Sequence, residues 1–244
     1  MIAAQAALET RMLLRNGEQL LLTVIIPSLL LVLFSTVDIV TVPVPTTGGA
    51  GEAVDFVAPG ILALAVLSTA FTGQAIATGF ERRYGVLKRL GASPLPRWAL
   101  MTAKTLAVLV TEVLQIALLT AIALGLGWSP HGNPLSVLLL LVLGTAAFSG
   151  LGLLMAGTLR AEATLAAANL VFLLLLVGGG VIVPLTKFPD AARSVLELLP
   201  ISALSDGLRA VLQDGAALPW GDALTLAVWA VLGLGAAAKF FRWE

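Results

Sequence analysis

Residues able to do chemistry are few in this sequence, and they fall in three places. Glu112 is the one full charge well inside an apolar run, and Gln115 follows at i+3, on the same helical face. A carboxyl group among apolar residues is costly to desolvate, so by default it marks a functional position. Two kinds of role stand open for it. It either hydrogen-bonds a neighbouring helix and locks the bundle, or it serves a substrate path, a gating ion pair or proton coupling. In a second run Ala65, Thr69, Gly73 and Ala77 repeat at spacing four, with Ser68 and Thr72 beside them. Such a stripe either lets helices approach closely or lines a pore. The third place is FERRYGVLKRLGASPLPR, Phe80 to Arg97, where an acid and two arginines leave an apolar run directly.

What is missing narrows the chemistry. No Gly-x-x-x-x-Gly-Lys-[Ser/Thr] loop is present, so the chain cannot cradle nucleotide phosphates in the P-loop manner. With 0 cysteines and 1 histidine there is no thiolate or histidine-rich metal site and no cysteine nucleophile. Ser149 precedes Gly150 inside an apolar run, while His131 lies in a hairpin at another level, so an intramembrane serine protease lacks its base. Ser149 reads as a small packing residue. No catalytic and no metal-ligating residue is expected.

The elements that position these residues are set by hydrophobicity. The 244 residues are 59% hydrophobic and 11% charged, against about 25% charged in soluble domains. Six apolar runs are long enough to span a hydrocarbon core as helices, at approximately 20–37, 56–79, 106–128, 135–159, 163–183 and 223–238. A cleaved signal peptide is the weaker reading of the first run, which is long and closed by no Ala-x-Ala site. Net charge is +0, which gives no reason to expect nucleic acid as a partner. The distribution of charge carries the information. Of 14 lysines and arginines, eleven fall on one side: Arg11 and Arg15, the group from Arg82 to Lys104, Arg160, Lys239 and Arg242. Lys187, Arg193 and Arg209 alone fall on the other, so both termini are predicted to be cytoplasmic.

The connections differ in kind. Residues 128–134 and 160–162 are tight hairpins. In the basic loop, a short helix is predicted to set Tyr84 and Leu87 opposite Arg82 and Arg89, ended by Gly91 and turned by Ser93-Pro94. Between spans five and six, Asp190 to Leu199 reads as one short helix. A second begins near Pro200 and ends at Gly215, with Ile201, Leu204, Leu208, Val211 and Leu212 on one face. Neither is long enough to span, so both are expected to be interfacial or re-entrant at the outer mouth. Residues 2–18 are predicted to form a helix on the inner surface, with Arg11, Arg15 and Glu18 on a stripe and Ile2, Ala6 and Leu13 roughly opposite. The fold class is therefore all-α membrane protein, one domain over residues 1–244.

The motif Glu-Arg-x-x-Gly-x-Leu-x-x-Leu-x-x-[Ser/Thr]-Pro after a second span, here Glu81, Arg82, Gly85, Leu87, Leu90, Ser93 and Pro94, resembles the type-2 permeases of ABC exporters. That family includes daunorubicin-resistance and nodulation-factor export permeases. The Gly-rich end of the fifth span, then Pro184, Phe188-Pro189, Leu199-Pro200 and Gly207-Leu208-Arg209, is similar to the family's external re-entrant segment. The resemblance covers essentially the whole chain. It implies an exporter permease of the cell membrane, moving a lipophilic or amphipathic compound out of the cytoplasm. Two copies of a separate ABC ATPase would bind ATP and Mg, so this chain would be no enzyme and hold no cofactor. A second permease, the same or a sister chain, would complete the pore. Glu81, Arg82, Tyr84, Leu87, Lys88 and Arg89 would couple to the ATPase through a cytoplasmic coupling helix. The family often has an acid in this helix, where this chain has Lys88-Arg89. Glu112, Gln115, Thr69 and Thr72 are the candidates for a transport path or polar site within the bundle. The alternative is a proton-coupled secondary carrier using Glu112, although such carriers usually show two related halves and no repeat is evident.

Overall fold

Long runs of Leu, Ala and Val, with the backbone hydrogen-bonded within each segment, leave the helix as the economical structure in lipid. A computed structural model describes residues 2–15, 17–36, 50–86, 97–181 and 185–242, and these are helical apart from short connections. The helices are α1 (Ile2–Arg15), α2 (Gly17–Thr36), α3 (Ala50–Val66), α4 (Gln74–Arg83), α5 (Arg97–Gly125), α6 (Pro134–Thr158), α7 (Ala161–Gly178), α8 (Asp190–Leu196), α9 (Pro200–Leu212) and α10 (Trp220–Phe240). A π-helical segment, Leu67–Gly73, joins α3 to α4 without a break, and a single 3-10 turn, Leu185–Lys187, precedes α8. Among the described residues, five helices are long and apolar enough to cross a membrane: α3–α4 as one unit, α5, α6, α7 and α10. In α2 the apolar stretch Thr23–Thr36 is shorter.

The α3–α4 unit is the centre of the bundle. Its most apolar window is 83% buried, against 17% in α7 and 28% in α10, which lie at the periphery. Packing around it relies on small residues. A Cβ on Gly150 of α6 would lie 2.5 Å from the backbone of Leu234 in α10, so these helices touch backbone to backbone. Asn133 caps α6 by accepting from the Leu135 amide at 2.9 Å, and Pro134 fills the first helical position.

Several boundaries differ from the sequence reading for identifiable reasons. α5 starts at Arg97 rather than near 106, because Lys104 is taken up inside the helix by partners on two other helices. The central helix runs on to Arg83, and Gly85, at φ +71°, then breaks the path. Glu81 and Arg82 therefore belong to the spanning helix, not to a separate short one. Residues 87–96, with Leu87, Lys88, Arg89, Ser93 and Pro94, lie outside the described residues. α7 ends at Gly178, short of 183. Of the two helices expected to be interfacial or re-entrant, α9 is largely buried. Ser202, Ser205 and Arg209 are buried along with its apolar face, and it packs among α3, α6 and α10. α8, by contrast, has no buried residue.

Candidate functional site

Among the described residues, three polar clusters lie along the central helix, named inner, middle and outer after the expected topology; the first two join it to α5 and the third to α9. The inner one was not foreseen. Lys104 of α5 donates to Glu9 of α1 at 3.0 Å and to Glu81 of α4 at 2.6 Å. Gln5 donates to the other Glu9 oxygen at 2.9 Å. Lys104 is 5% exposed and Glu9 4%. Beside the triad is a cavity of about 30 Å³, comparable to one water's share of the liquid. Gln74 and Thr78 line it, and neither the Gln74 amide nor the Thr78 hydroxyl has a hydrogen-bond partner among the described residues. The signal available in sequence was Glu9: one acid facing inward in an otherwise apolar part of α1.

The middle cluster brings together three of the four candidates for a path or polar site. Thr69 donates to the Gln115 side-chain oxygen at 2.8 Å, and the Gln115 amide donates to the Thr23 carbonyl of α2 at 2.6 Å. Glu112, 2% exposed, accepts from Thr145 of α6 at 2.5 Å. The Leu141 carbonyl of α6 lies 2.8 Å from the same hydroxyl, so the single Thr145 proton is shared between two acceptors. The other Glu112 oxygen has no partner among the described residues. Thr72 does not join them. The π segment adds a residue to the turn, so the spacing-four stripe is split between surroundings. Ala65 is core and Thr69 meets Gln115, whereas Thr72, Gly73 and Ala77 line a lateral cleft of about 590 Å³ between α2, the central helix and α7. Pro27, Phe80, Asn169 and Phe172 form much of the rest of its wall.

Where the central helix ends, Arg82 donates to the Leu159 carbonyl at 2.6 Å and Arg83 pairs with Glu162. The central helix is thereby tied to the hairpin between α6 and α7. Tyr84 is 68% exposed, stacked on Phe80 at 6.2 Å between ring centroids.

The outer cluster centres on Arg209 of α9, 8% exposed. Its guanidinium donates to the carbonyls of Gly180 at 2.8 Å and Val181 at 2.7 Å, just past the end of α7, and to Asp206 at 3.1 Å. It also lies 4.1 Å from the centre of the Phe56 ring in α3. Burial pushes the Asp206 carboxyl above the usual range, against the opposing pull of Arg209. Gly60 makes room for this arrangement, since a Cβ there would meet the Val181 carbonyl oxygen at 2.5 Å. Arg209 had been placed in the external segment, but its position as a hub could not be read from spacing.

The bundle, its polar seams and an exposed aromatic leaving the inner end of the central helix suit a transport component. A family model described as ABC-2 family transporter protein matches residues 2–239. The chain belongs to the ABC-2 transporter family. A search of curated proteins finds no match. As an ABC-2 protein it is a multi-pass membrane component of an ABC transporter, working with an ABC ATPase subunit and not itself catalytic.

Proposed function

We propose that this ABC-2 permease exports a lipophilic or amphipathic compound from the cytoplasm through a single six-span domain covering residues 1–244. The sixth span is α2, whose helix of 20 residues is long enough to cross. In this reading both termini are cytoplasmic, and the protein resides in the cell membrane. Two ATPase copies bind ATP and Mg, and a second permease, identical or a sister chain, faces the lateral cleft. The cleft's apolar walls, relieved by Ser68, Thr72 and Asn169, suit an amphiphile. The proton-coupled alternative has less support, because Glu112 turns to Thr145 and lines neither the inner cavity nor the cleft.

The observation that carries the proposal is the unbroken central helix, which borders the cleft and ends at the inner surface with Tyr84 exposed. A push on the loop that follows moves the cleft wall directly. The test pairs Tyr84→Ala with Leu87→Ala and asks whether the ATPase still co-purifies. Truncating two interface anchors costs about 2 kcal/mol or more, a weakening of roughly thirtyfold. The variant is expected to insert normally, to lose the ATPase and to stop transporting. Normal ATPase retention with wild-type export would remove the coupling role from this segment.

A further inference from the structure

We propose that the groove between α1 and α5 is a binding site for an anionic phospholipid of the surrounding bilayer. The groove measures about 770 Å³ and is lined by Ala6, Ala7, Thr10, Arg11 and Arg15 of α1 and by Leu106, Leu109 and Val110 of α5. It shares no residue with the lateral cleft. Its two ends differ in chemistry. Arg11 and Arg15 are both exposed and stand one turn apart, about 6 Å along the helix. No carboxylate among the described residues pairs with either of them. Leu106 and Val110 are 40% and 49% exposed and lie on a helix that continues into the hydrocarbon. Ala6 and Ala7 keep the α1 wall low, which leaves room for an acyl chain beside α5.

The arrangement is fixed, not incidental. Glu9 holds α1 against α5 through Lys104, and at 100° per residue Arg11 and Arg15 then point away from that contact. Leu13 lines the inner cavity with Glu9, on the side of α1 away from the arginines, and Ala6 borders the groove. Paired guanidinium groups suit a phosphodiester, and basic pockets between helices at the cytoplasmic surface are the usual seat for acidic headgroups. The lateral opening and apolar floor select a lipid over a soluble phosphate.

Native mass spectrometry of the full chain, released from nanodiscs of phosphatidylcholine mixed with phosphatidylglycerol, tests this. The wild type is expected to retain phosphatidylglycerol selectively. Arg11→Gln with Arg15→Gln should weaken that retention about thirtyfold, two groups each worth roughly a factor of five. Ala7→Trp should also displace the lipid by filling the groove, with both charges kept. Loss in the double variant but full retention in Ala7→Trp would mean diffuse charge attraction, and the site would be withdrawn. Equal retention of both lipids by the wild type, unchanged retention in the double variant, or a doubled mass with no lipid as a second copy occupies the groove, would each overturn it as well.

Discussion

Removing Lys104 tests the inner cluster most directly. Lys104→Met keeps much of the side chain's length and apolar stem but deletes the cation that bridges Glu9 and Glu81, whose side chains are 6% and 22% exposed. Both carboxylates touch the same ammonium, at 3.0 and 2.6 Å, so without it they face one another at short range. Breaking a buried ion pair by removing one partner costs about 3–5 kcal/mol. The partial exposure of Glu81 brings the expectation to the lower end, about 3 kcal/mol. For a chain of this size that is an apparent melting shift of roughly 6–12 °C, read at one fixed scan rate because unfolding in detergent is seldom reversible. The decisive control is the triple variant Glu9→Gln, Lys104→Met, Glu81→Gln. With no charge left to strand, it should recover to within about 1 kcal/mol of the wild type. If Lys104→Met melts with the wild type, the triad carries no stability. If the triple variant melts as low as the single one, stranded carboxylates are not the cause of the loss and the charge account fails.

For Glu112, substitution by Gln should preserve substantial transport, since an amide still accepts from Thr145, whereas Leu removes the hydrogen bond between α5 and α6, worth about 0.5–1.5 kcal/mol, and should impair assembly or activity. Transport abolished by Glu112→Gln with folding and ATPase binding intact would assign the carboxylate a charge-specific role. Arg209→Lys should lower stability by about 1–3 kcal/mol in a thermal melt, because one ammonium cannot reproduce the fork across Gly180, Val181 and Asp206. A wild-type melt would show that position to need only a positive charge. Cysteines placed at Ser93 and at Thr46, both outside the described residues, should label from opposite faces in intact cells, Ser93 from the cytoplasm. Labelling of Ser93 from outside would invert the topology.

The helical architecture was legible because lipid imposes it: a long apolar run has few alternatives to a helix. Among the described residues, five of the six expected spans reappear as helices both long and apolar enough to cross. The ends were less legible wherever a charged residue lay within a helix. Lys104 read as loop because a lone lysine in lipid is expensive, and only the partners from α1 and α4 make it affordable. Those partners are 95 and 23 residues away in sequence, beyond any local pattern. Thr69 and Gln115 could be named as polar, but not paired, since they are 46 residues apart in sequence. Nothing in the composition of Leu67–Gly73 announces an extra residue in the turn. Arg209 was hidden for a related reason. Its partners are mainly backbone carbonyls, and carbonyls carry no sequence signature.

The placement of the three clusters gives the central helix a mechanical character. At its inner end it is tied to α1 and α5 by ions and to the α6–α7 hairpin through Arg82 and Arg83. In the middle it is held to α5 by one neutral hydrogen bond, from Thr69. At its outer end it meets the Arg209 hub through Phe56 and Gly60. Among the described residues, Leu67–Gly73 has fewer polar ties than either end of the helix and is held mainly by packing, with Leu67, Ala70 and Phe71 buried. π segments are departures from regular helical geometry and often sit at functional sites. This one also borders the cleft through Ser68, Thr72 and Gly73. A force applied near Tyr84 would then be absorbed by repacking around the π segment before the outer fastening gave way. The wall of the cleft would change first and the outer mouth second, the order an exporter needs if cargo is to be enclosed before it is released.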